Sequence, residues 1–420
     1  MPTRPVLTAD FDAHVGHAPF MGLSALLRRA FSGEDVSQMG PALIERAQRE
    51  SDAYAMLDLS TVLQLHYQRD AALTVLAEAL KTQVLYRVAS ASLPGALRIL
   101  VLKSPGDLMN NTPFECLLDV FDVTVDVLYV RAGSPLPDAL PDHDVLLMAI
   151  GESDRNATVL GELAETLAHW PRPVLNSPSC VPRLARDAAS ALFAGIPGVA
   201  MPRNVRCARE VLQRVATGEL APGGAEQAAF PLIVRPLGSH AGAGLAKVDG
   251  PALLADYLAE HDYPQYYAAP FVDYASPDGL FRKYRVVMIA GRPHLCHMGI
   301  SQHWMVHYPY EEMVTHAARR DEEQQAMRGF GLAPAGLAAR HRAAFDTLQQ
   351  AIALDYWGMD CAETTQGELL VFEVTNAMVI HAMDAADVFP YKQAQMKTVF
   401  DAFHRMLQDR AGQSASGPRA

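Results

Sequence analysis

Several features are missing from this sequence, and each absence excludes something. No apolar run reaches about 18 residues, so no membrane-spanning helix is expected. The five cysteines, Cys116, Cys180, Cys207, Cys296 and Cys361, are odd in number and far apart, and none forms a Cys-x-x-Cys pair. That pattern excludes a disulfide framework and a cysteine zinc site. The opening stretch "MPTRPVLTADFDAHVGH" has no apolar core of a secretory signal. Positive charge is short: the formal net charge is -12, which removes nucleic-acid binding by bulk charge. Lysine is scarcer still than arginine. What is present is 420 residues, half of them hydrophobic, enough for two or three domains with cores of their own. The expected location is cytoplasmic, with neither nucleic acid nor membrane as partner.

The first part of the chain reads as helices. "PALIERAQRESDAYAMLDLSTVLQLHYQ" and "DAALTVLAEALKTQVLYRV" carry apolar residues at helical spacing. The second stretch resembles the latter half of a tetratricopeptide repeat, and at most two units would fit. A helical cap, or a dimerisation unit giving a homodimer, is the plainer reading of residues 1–95. Near Pro94-Gly95 the pattern changes. "LRILVLKS", "VTVDVLYV" and "HDVLLMAI" read as buried strands, followed by a helix starting at Asn156 and the strand "RPVLNSP". Strands alternating with helices over 96–180 predict a parallel sheet, which binds ligands beyond the carboxyl ends of its strands. The loop "SPGDLMNNTPFE" lies at such an end.

Residues 181–410 then give a helix ("VPRLARDAASALFAG"), the connector "IPGVAMPRNV", the stretch "FPLIVRPLGSHAGAGLAKV" and a hairpin turning at Ala290-Gly291. A charged helical region follows, whose run "RRDEEQQ" reads as a solvated face. A strand pair over 357–376 and a closing amphipathic helix end the ordered part, and the tail 411–420 is expected to be disordered.

Two places carry chemistry. In "YWGMDCAETTQGELLVFEVTN" a two-residue turn at Gln366-Gly367 makes a hairpin whose register sets Asp360 opposite Glu373. Two carboxylates so placed need a cation between them, and oxygen donors suit Mg²⁺ or Mn²⁺ that also holds phosphates. The competing reading is a solvent-facing pair on a wet sheet face. In "PLIVRPLGSHAGAG" Ile233 and Arg235 share a strand face just before a glycine-rich turn, where converging backbone N–H groups and a guanidinium form an anion cradle. Together the two predict a nucleoside triphosphate with its metal. The run "HLCHMGISQHWMVHY" is a third cluster. His294 and His297 are an odd distance apart and so are expected on opposite faces of a strand, against a zinc site. A substrate-pocket wall including Trp304, and ordinary packing, remain the readings for this run.

The order of these parts resembles the ATP-grasp ligases, in particular the group of glutathione synthetase, D-alanine–D-alanine ligase and the ribosomal-protein glutamate ligase, over about residues 97–408. "VLNSP", "IPGVAMP", "PLIVRPLGSHAGAG", "YYAAPFVDY", "RKYRVVMIAGRP" and "GMD…VFEVTN" carry the resemblance. It implies an α/β fold: an ATP-grasp clamp preceded by a parallel-sheet pre-ATP-grasp domain and an all-helical N-terminal domain. It also implies ATP with Mg²⁺ (or Mn²⁺). Arg186 and Arg235 would hold phosphates, and Gly238, Ser239, His240, Gly242 and Gly244 would form the loop over the γ-phosphate. Pro270, Phe271 and Val272 would be the adenine hinge, with Asp273 on the ribose. Lys283, Arg285 and also Arg235 would serve catalysis, and Asp360 and Glu373 would be metal ligands with Thr375 or Asn376. The family has lysine where Arg235 stands and another in the helix reading "LARDAAS", and Arg is no neutral replacement. Its metal motif is Glu-x-Asn, whereas here Thr375, not Asn376, alternates onto the face of Glu373. The implied activity is an ATP-dependent carboxylate–amine ligase joining small-molecule or peptide substrates through an acyl phosphate. The alternative is a catalytically weak nucleotide-binding scaffold whose helices recruit a partner.

Overall fold

The computed structural model describes residues 6–8, 20–221, 229–239 and 242–415. The fold is mixed α/β. A short strand β1 (Val6–Thr8) precedes four helices, α1 (Gly22–Phe31), α2 (Gly40–Glu50), α3 (Ala53–Leu65) and α4 (Arg69–Thr82). Asp52 caps α3 by accepting from the backbone N–H groups of Tyr54 and Ala55. The buried carboxylate of Asp58 does the same for the start of α1, accepting from Met21 and Gly22 N–H at 2.9 Å each.

The helical reading overran here. "VLYRV" is not the end of a helix but strand β2 (Leu85–Ala89), which pairs antiparallel with a strand of the following sheet. Its Tyr86 side chain is fully buried and its hydroxyl donates to the carbonyls of Ala79 and Gln83, at the frayed end of α4. The chain continues through β3 (Arg98–Lys103), α5 (Phe114–Leu118), β4 (Thr124–Tyr129), β5 (Ala139–Pro141), β6 (Val145–Met148), α6 (Ala157–Leu167) and β7 (Val174–Leu175). The sheet order is β2-β4-β3-β6-β7, with β4, β3, β6 and β7 parallel, and β1 pairs with β5. Asn156 stands at the start of α6 without capping it. Its amide accepts from Ser104 Oγ and donates to Asn110 Oδ1 and Gly151 O, tying together the loops at the carboxyl ends of β3 and β6.

The helix expected over 181–195 is broken. A single 3₁₀ turn (Val181–Leu184) ends at Ala185, whose ψ of 137° starts α7 (Arg186–Leu192) afresh. Next come β8 (Val199–Ala200), β9 (Val205–Ala208), α8 (Arg209–Ala216), β10 (Leu232–Pro236), β11 (Ala246–Val248), α9 (Pro251–Glu260) and β12 (Gln265–Pro270). They form an antiparallel sheet of order β11-β10-β12-β9, covered by α8 and α9 around Leu212, Leu254 and Tyr266. The last part holds β13 (Phe281–Ile289), β14 (Arg292–Ser301), α10 (Tyr310–Thr315), α11 (Ala317–Gly329), α12 (Leu337–Arg340), α13 (Arg342–Ile352), β15 (Tyr356–Glu363), β16 (Leu369–Thr375) and α14 (Pro390–Ala415). Its sheet runs β14-β13-β15-β16-β8. Between β13 and β14, Ala290 and Gly291 both have positive φ, as a two-residue hairpin turn of matching twist requires.

Two further expectations are corrected. The run "RRDEEQQ" is not a solvated face throughout: Arg319 and Glu323 of α11 are buried against β14. Glu323 accepts from Met298 N–H and the hydroxyls of Tyr308 and Tyr391, and Lys392 lies 3.6 Å away, so its charge is compensated where it sits. The tail expected to be disordered from 411 is helical as far as Ala415, where α14 ends, and residues 416–420 lie outside the described residues. Among the described residues no helix is long and apolar enough to cross a membrane.

One residue joins the parallel sheet to the last one. Asn176 follows β7, is fully buried, and has φ 60°. Its amide donates to Tyr356 O and accepts from Tyr356 N–H, both at 2.8 Å, as a neighbouring strand would. Its own N–H donates to Asp355. The start of β15 is thereby fixed on the parallel sheet. Asn176→Ala removes two buried hydrogen bonds and leaves alanine at a left-handed backbone position, and should cost about 2–4 kcal/mol. Chemical denaturation checks this: a loss below 0.5 kcal/mol, a small fraction of what two unsatisfied buried groups cost, would contradict the staple.

Candidate functional site

A cavity of about 410 Å³ lies between the β9–β12 sheet and the β13–β16 sheet. Its charged lining consists of Arg186, Arg235, Lys283, Arg285, Asp360 and Glu373, four cations against two carboxylates.

Register brings most of these together. His297 of β14 pairs with Arg285 of β13, Arg285 with Asp360 of β15, and Asp360 with Glu373 of β16. One rung thus crosses four antiparallel strands, and all four side chains reach the cavity. Two irregularities create it. The β15–β16 turn is wider than the predicted two residues: Thr364 N–H bonds Glu368 O, and Gly367, at φ 80°, donates to Thr364 O. This alone would shift Asp360 by one partner. Between Asp360 and Cys361 the register shifts back, leaving Phe372 as the extra residue of a β-bulge, so Asp360 still faces Glu373. A second bulge, at Cys296, sets His297 instead of Cys296 opposite Arg285. It also corrects the expectation about histidines. His294 pairs with Val287 and His297 with Arg285, two positions on one face of β13, so the odd spacing does not put the two histidines on opposite faces.

The rung is charged. Asp360 is 3% exposed, so it does not stand on a solvent-facing sheet surface, while Glu373 beside it is half-buried. Its carboxylate accepts from Arg285 Nε (2.9 Å) and Nη2 (3.0 Å) and from Lys283 Nζ (2.9 Å). Burial alone would raise its pKa, but Arg285 and Lys283 hold it far below the ordinary carboxylate range. Glu373 is held low in the same way, against burial, by Arg186. Arg186 arrives from α7 and forms an ion pair with the Glu373 carboxylate, while its Nη1 donates to the carbonyl of the bulged Phe372. Arg183 turns elsewhere, to the carbonyl of Ala351.

Arg235 enters from β10. It is 7% exposed, and its guanidinium donates to Ser239 Oγ (3.2 Å) and to Ser239 O, gripping the glycine turn. Burial, and then the neighbouring charge of Arg186, lower its pKa to about 10, so the pair of guanidiniums carries positive charge that no carboxylate fully offsets. Ile233 lines the cavity beside it, as strand alternation requires. Gly242, at φ 74°, also lines it, and a Cβ there would meet His307 Nε2 at 2.1 Å, so any other residue would strain the backbone and displace that ring. Gly238, Ser239 and Gly244 do not line the cavity, while His240 lies outside the described residues.

The rest of the lining is largely apolar. Pro270, Phe271 and Val272 belong to it with Leu245, Trp304 and Leu370. The Phe271 ring meets Trp304 edge-on at 5.8 Å and carries Lys247 Nζ at 4.4 Å from its centroid. Asp273 is not brought in: it is exposed, and its carboxylate accepts from Ala275 N–H in a local turn. Met109, from the loop after β3, does reach the cavity, so that loop contributes. Of the histidine run, His297, Trp304 and His307 line the wall, whereas His294 and His303 do not.

Thr375 lines the cavity and Asn376 does not. The Asn376 amide is buried beneath, donating to Ile150 O, with Oδ1 unpartnered. Asp360 and Glu373 offer hard oxygen donors from adjacent strands to one space, which fits Mg²⁺ or Mn²⁺. No three His, Cys, Asp or Glu side chains converge as a metal group among the described residues. An ion here would take at most these two carboxylates and complete its shell with ligand oxygens.

No family model matches the chain, and no curated protein matches it either. Solved structures that resemble it include a RimK domain protein ATP-grasp from Sphaerobacter thermophilus DSM 20745 at 16% identity (TM-score 0.43, 75% of this chain and 99% of that chain). The D-alanine–D-alanine ligase of Bacillus anthracis complexed with ATP is another, at 14% identity (TM-score 0.44, 77% and 100%). A third is the ATP-grasp ligase PsnB complexed with precursor peptide PsnA2 and AMPPNP, at 15% identity (TM-score 0.38, 74% and 97%).

Proposed function

We propose that the protein is an ATP-dependent carboxylate–amine ligase. The observation that carries this reading is the cavity itself: apolar and aromatic walls together with four cations converging around an opposed carboxylate pair. A nucleoside triphosphate has the matching polarity, with a flat apolar base and a polyanionic tail. The order of motifs along the sequence supports the same ligand.

In this reading the base lies along Phe271 and Trp304, and the phosphates face Arg186 and Arg235. Gly242 lets the backbone of the turn approach them closely. Arg285 and Lys283 face the point where the γ-phosphoryl group meets a substrate carboxylate. There they stabilise the charge that develops as the acyl phosphate forms and as an amine displaces phosphate. Magnesium or manganese, held through Asp360 and Glu373 with Thr375 nearby, would neutralise phosphate charge. The acid and the amine are small molecules or peptides. The scaffold reading is favoured by one observation: both Asp360 oxygens already accept from Arg285 or Lys283, so these cations compete directly with a metal.

Arg235→Ala should weaken ATP binding by about 1.5–3 kcal/mol, the range of a charge-assisted contact. Unchanged affinity by calorimetry would remove Arg235 from the phosphate site. Turnover, measured by chromatography of the nucleotide, should require an acid and an amine together and should yield ADP and phosphate. AMP as product excludes the mechanism. Asp360→Ala and Glu373→Ala should stay folded, shown by circular dichroism, yet lose several kcal/mol of transition-state stabilisation. Nucleotide binding without turnover for every acid–amine pair would select the scaffold.

A further inference from the structure

The cavity has two apolar regions, and along β16 the charged rung lies between them. Before Glu373 on that strand come Leu370 and Phe372, which pack with Val272, Tyr274 and Val306. Tyr274 donates its hydroxyl to the Trp304 carbonyl, and Trp304 meets Phe271. This is the aromatic region that the nucleotide reading gives to the base. The second region follows Glu373. Gly358 pairs with Thr375, two residues from the pairing of Asp360 with Glu373, and a Cβ on Gly358 would meet the Met378 sulfur at 2.9 Å. Gly358 and Asp360 share one face of β15. The Met378 thioether, which lines the cavity, therefore covers that face about 6.6 Å from the rung, two strand residues away.

Met109 and Val379 line the cavity too, and the backbone that carries all three residues is held by hydrogen bonds. Thr112 Oγ1 donates to Asn376 O (2.7 Å), the Asn376 amide donates to Ile150 O (2.9 Å), and Ala377 N–H donates to Thr375 Oγ1 (3.0 Å). On either side of Met109, Leu108 N–H donates to Gln64 Oε1 (2.7 Å) and Asn110 O accepts from Gly151 N–H (2.9 Å). A Cβ on Gly151 would lie 3.2 Å from the Ala377 Cβ, so the loop bearing Met109 and the turn bearing Met378 are neighbours.

What this region lacks decides what it accepts. Among the described residues the cavity has two carboxylates, Asp360 and Glu373, and neither is free. Here they pair with Arg285, Lys283 and Arg186, and in the ligase reading they hold the metal. An ammonium group next to the substrate carboxylate would meet thioethers, a valine and the cations that hold that carboxylate. A buried charge without a partner is costly, whereas an apolar chain is stabilised by the same surroundings. Methionine side chains adapt to the shape against them, so straight, branched and aromatic chains all fit such a wall.

We propose that the acid substrate is a monocarboxylic acid with an apolar chain and no ammonium group, its carboxylate at Arg285 and Lys283 and its chain against Met109, Met378 and Val379. This rests on the ligase reading and names its class of acid. A carboxylate oxygen attacks the γ-phosphorus, the bond from that phosphorus to the bridging oxygen breaks, and ADP leaves with the electron pair.

The test traps the acyl phosphate with hydroxylamine. Its nitrogen attacks the acyl carbon, phosphate leaves with the electron pair of the C–O bond, the surplus proton goes to solvent, and a hydroxamate forms. The full-length protein is assayed with ATP, Mg²⁺, hydroxylamine and acids matched in pairs that differ only by an α-ammonium group: propanoate with alanine, hexanoate with norleucine, 4-methylpentanoate with leucine, and 3-phenylpropanoate with phenylalanine. For the best unsubstituted acid kcat/KM should exceed that of its amino acid by at least about 10²-fold, since an apolar pocket rejects even an added hydroxyl by that much. Met109→Glu sets a carboxylate in the wall and should narrow this ratio by about tenfold, the lower range of a charge-assisted contact. Amino acids used as well as their partners would overturn the proposal and leave the ligase reading standing. An unchanged ratio in Met109→Glu, with a thermal midpoint within a few degrees of the parent, would overturn it as well. The acid pairs decide the class on the unaltered protein even where that variant does not fold. Absence of hydroxamate from every acid would overturn the ligase reading and this class with it.

Discussion

The constraint on which the site depends is the alignment of one rung across four strands. Cross-strand neighbours have fixed spacing, so residues placed in register are held at distances no loop could guarantee. Here two extra residues set that register. Phe372 offsets a wide turn and keeps Asp360 opposite Glu373, and Cys296 turns His297 toward Arg285. Remove either and the alternation changes face. The bulge has a second use: the Phe372 carbonyl, freed from the ladder, accepts from Arg186. An irregularity in one strand thus provides a seat for a cation from a helix far away in sequence.

The other contributions arrive through ordinary packing. Asn176 imitates a strand partner to fix the start of β15 on the parallel sheet. The loop after β3, tied by Asn156 and Asn110, sends Met109 to the cavity. Arg235 comes from the facing sheet with the glycine turn in its grip. Parts of the chain far apart in sequence thus meet at one space.

Much of this was legible in the sequence, for physical reasons. Alternation identified the strands, the Ala290-Gly291 pair identified its hairpin turn, and the pairing of Asp360 with Glu373 followed from register. That last expectation was right although its turn was wrong, because the bulge restored what the wider turn displaced. What was not legible depended on long-range partners. "VLYRV" follows a helix without a breaking residue, and only pairing with β4 makes it a strand. Arg319 and Glu323 look like surface charges until β14 and Lys392 are placed beside them. The contact of Arg186 with Glu373 crosses 187 residues, which no local pattern reveals. Asp273 was misplaced because a short acidic side chain after an apolar strand has a local turn to satisfy. The bulge at Cys296 has no sequence signal of its own, so the place of His297 opposite Arg285 could not be read from spacing.

The distribution of charge has a consequence for how the two sheets hold together. The β13–β16 sheet presents Lys283 and Arg285 with Asp360 and Glu373, a wall that is neutral in sum. The surplus of positive charge sits on Arg235 of the facing sheet and Arg186 of α7, close enough to depress the ionisation of Arg235. Like charges across the gap push its sides apart, and a polyanion between them reverses the sign of that force. In the proposed function the ligand is therefore a fastener: whatever strips negative charge from it, or screens it, would loosen the grip of the two sheets on each other.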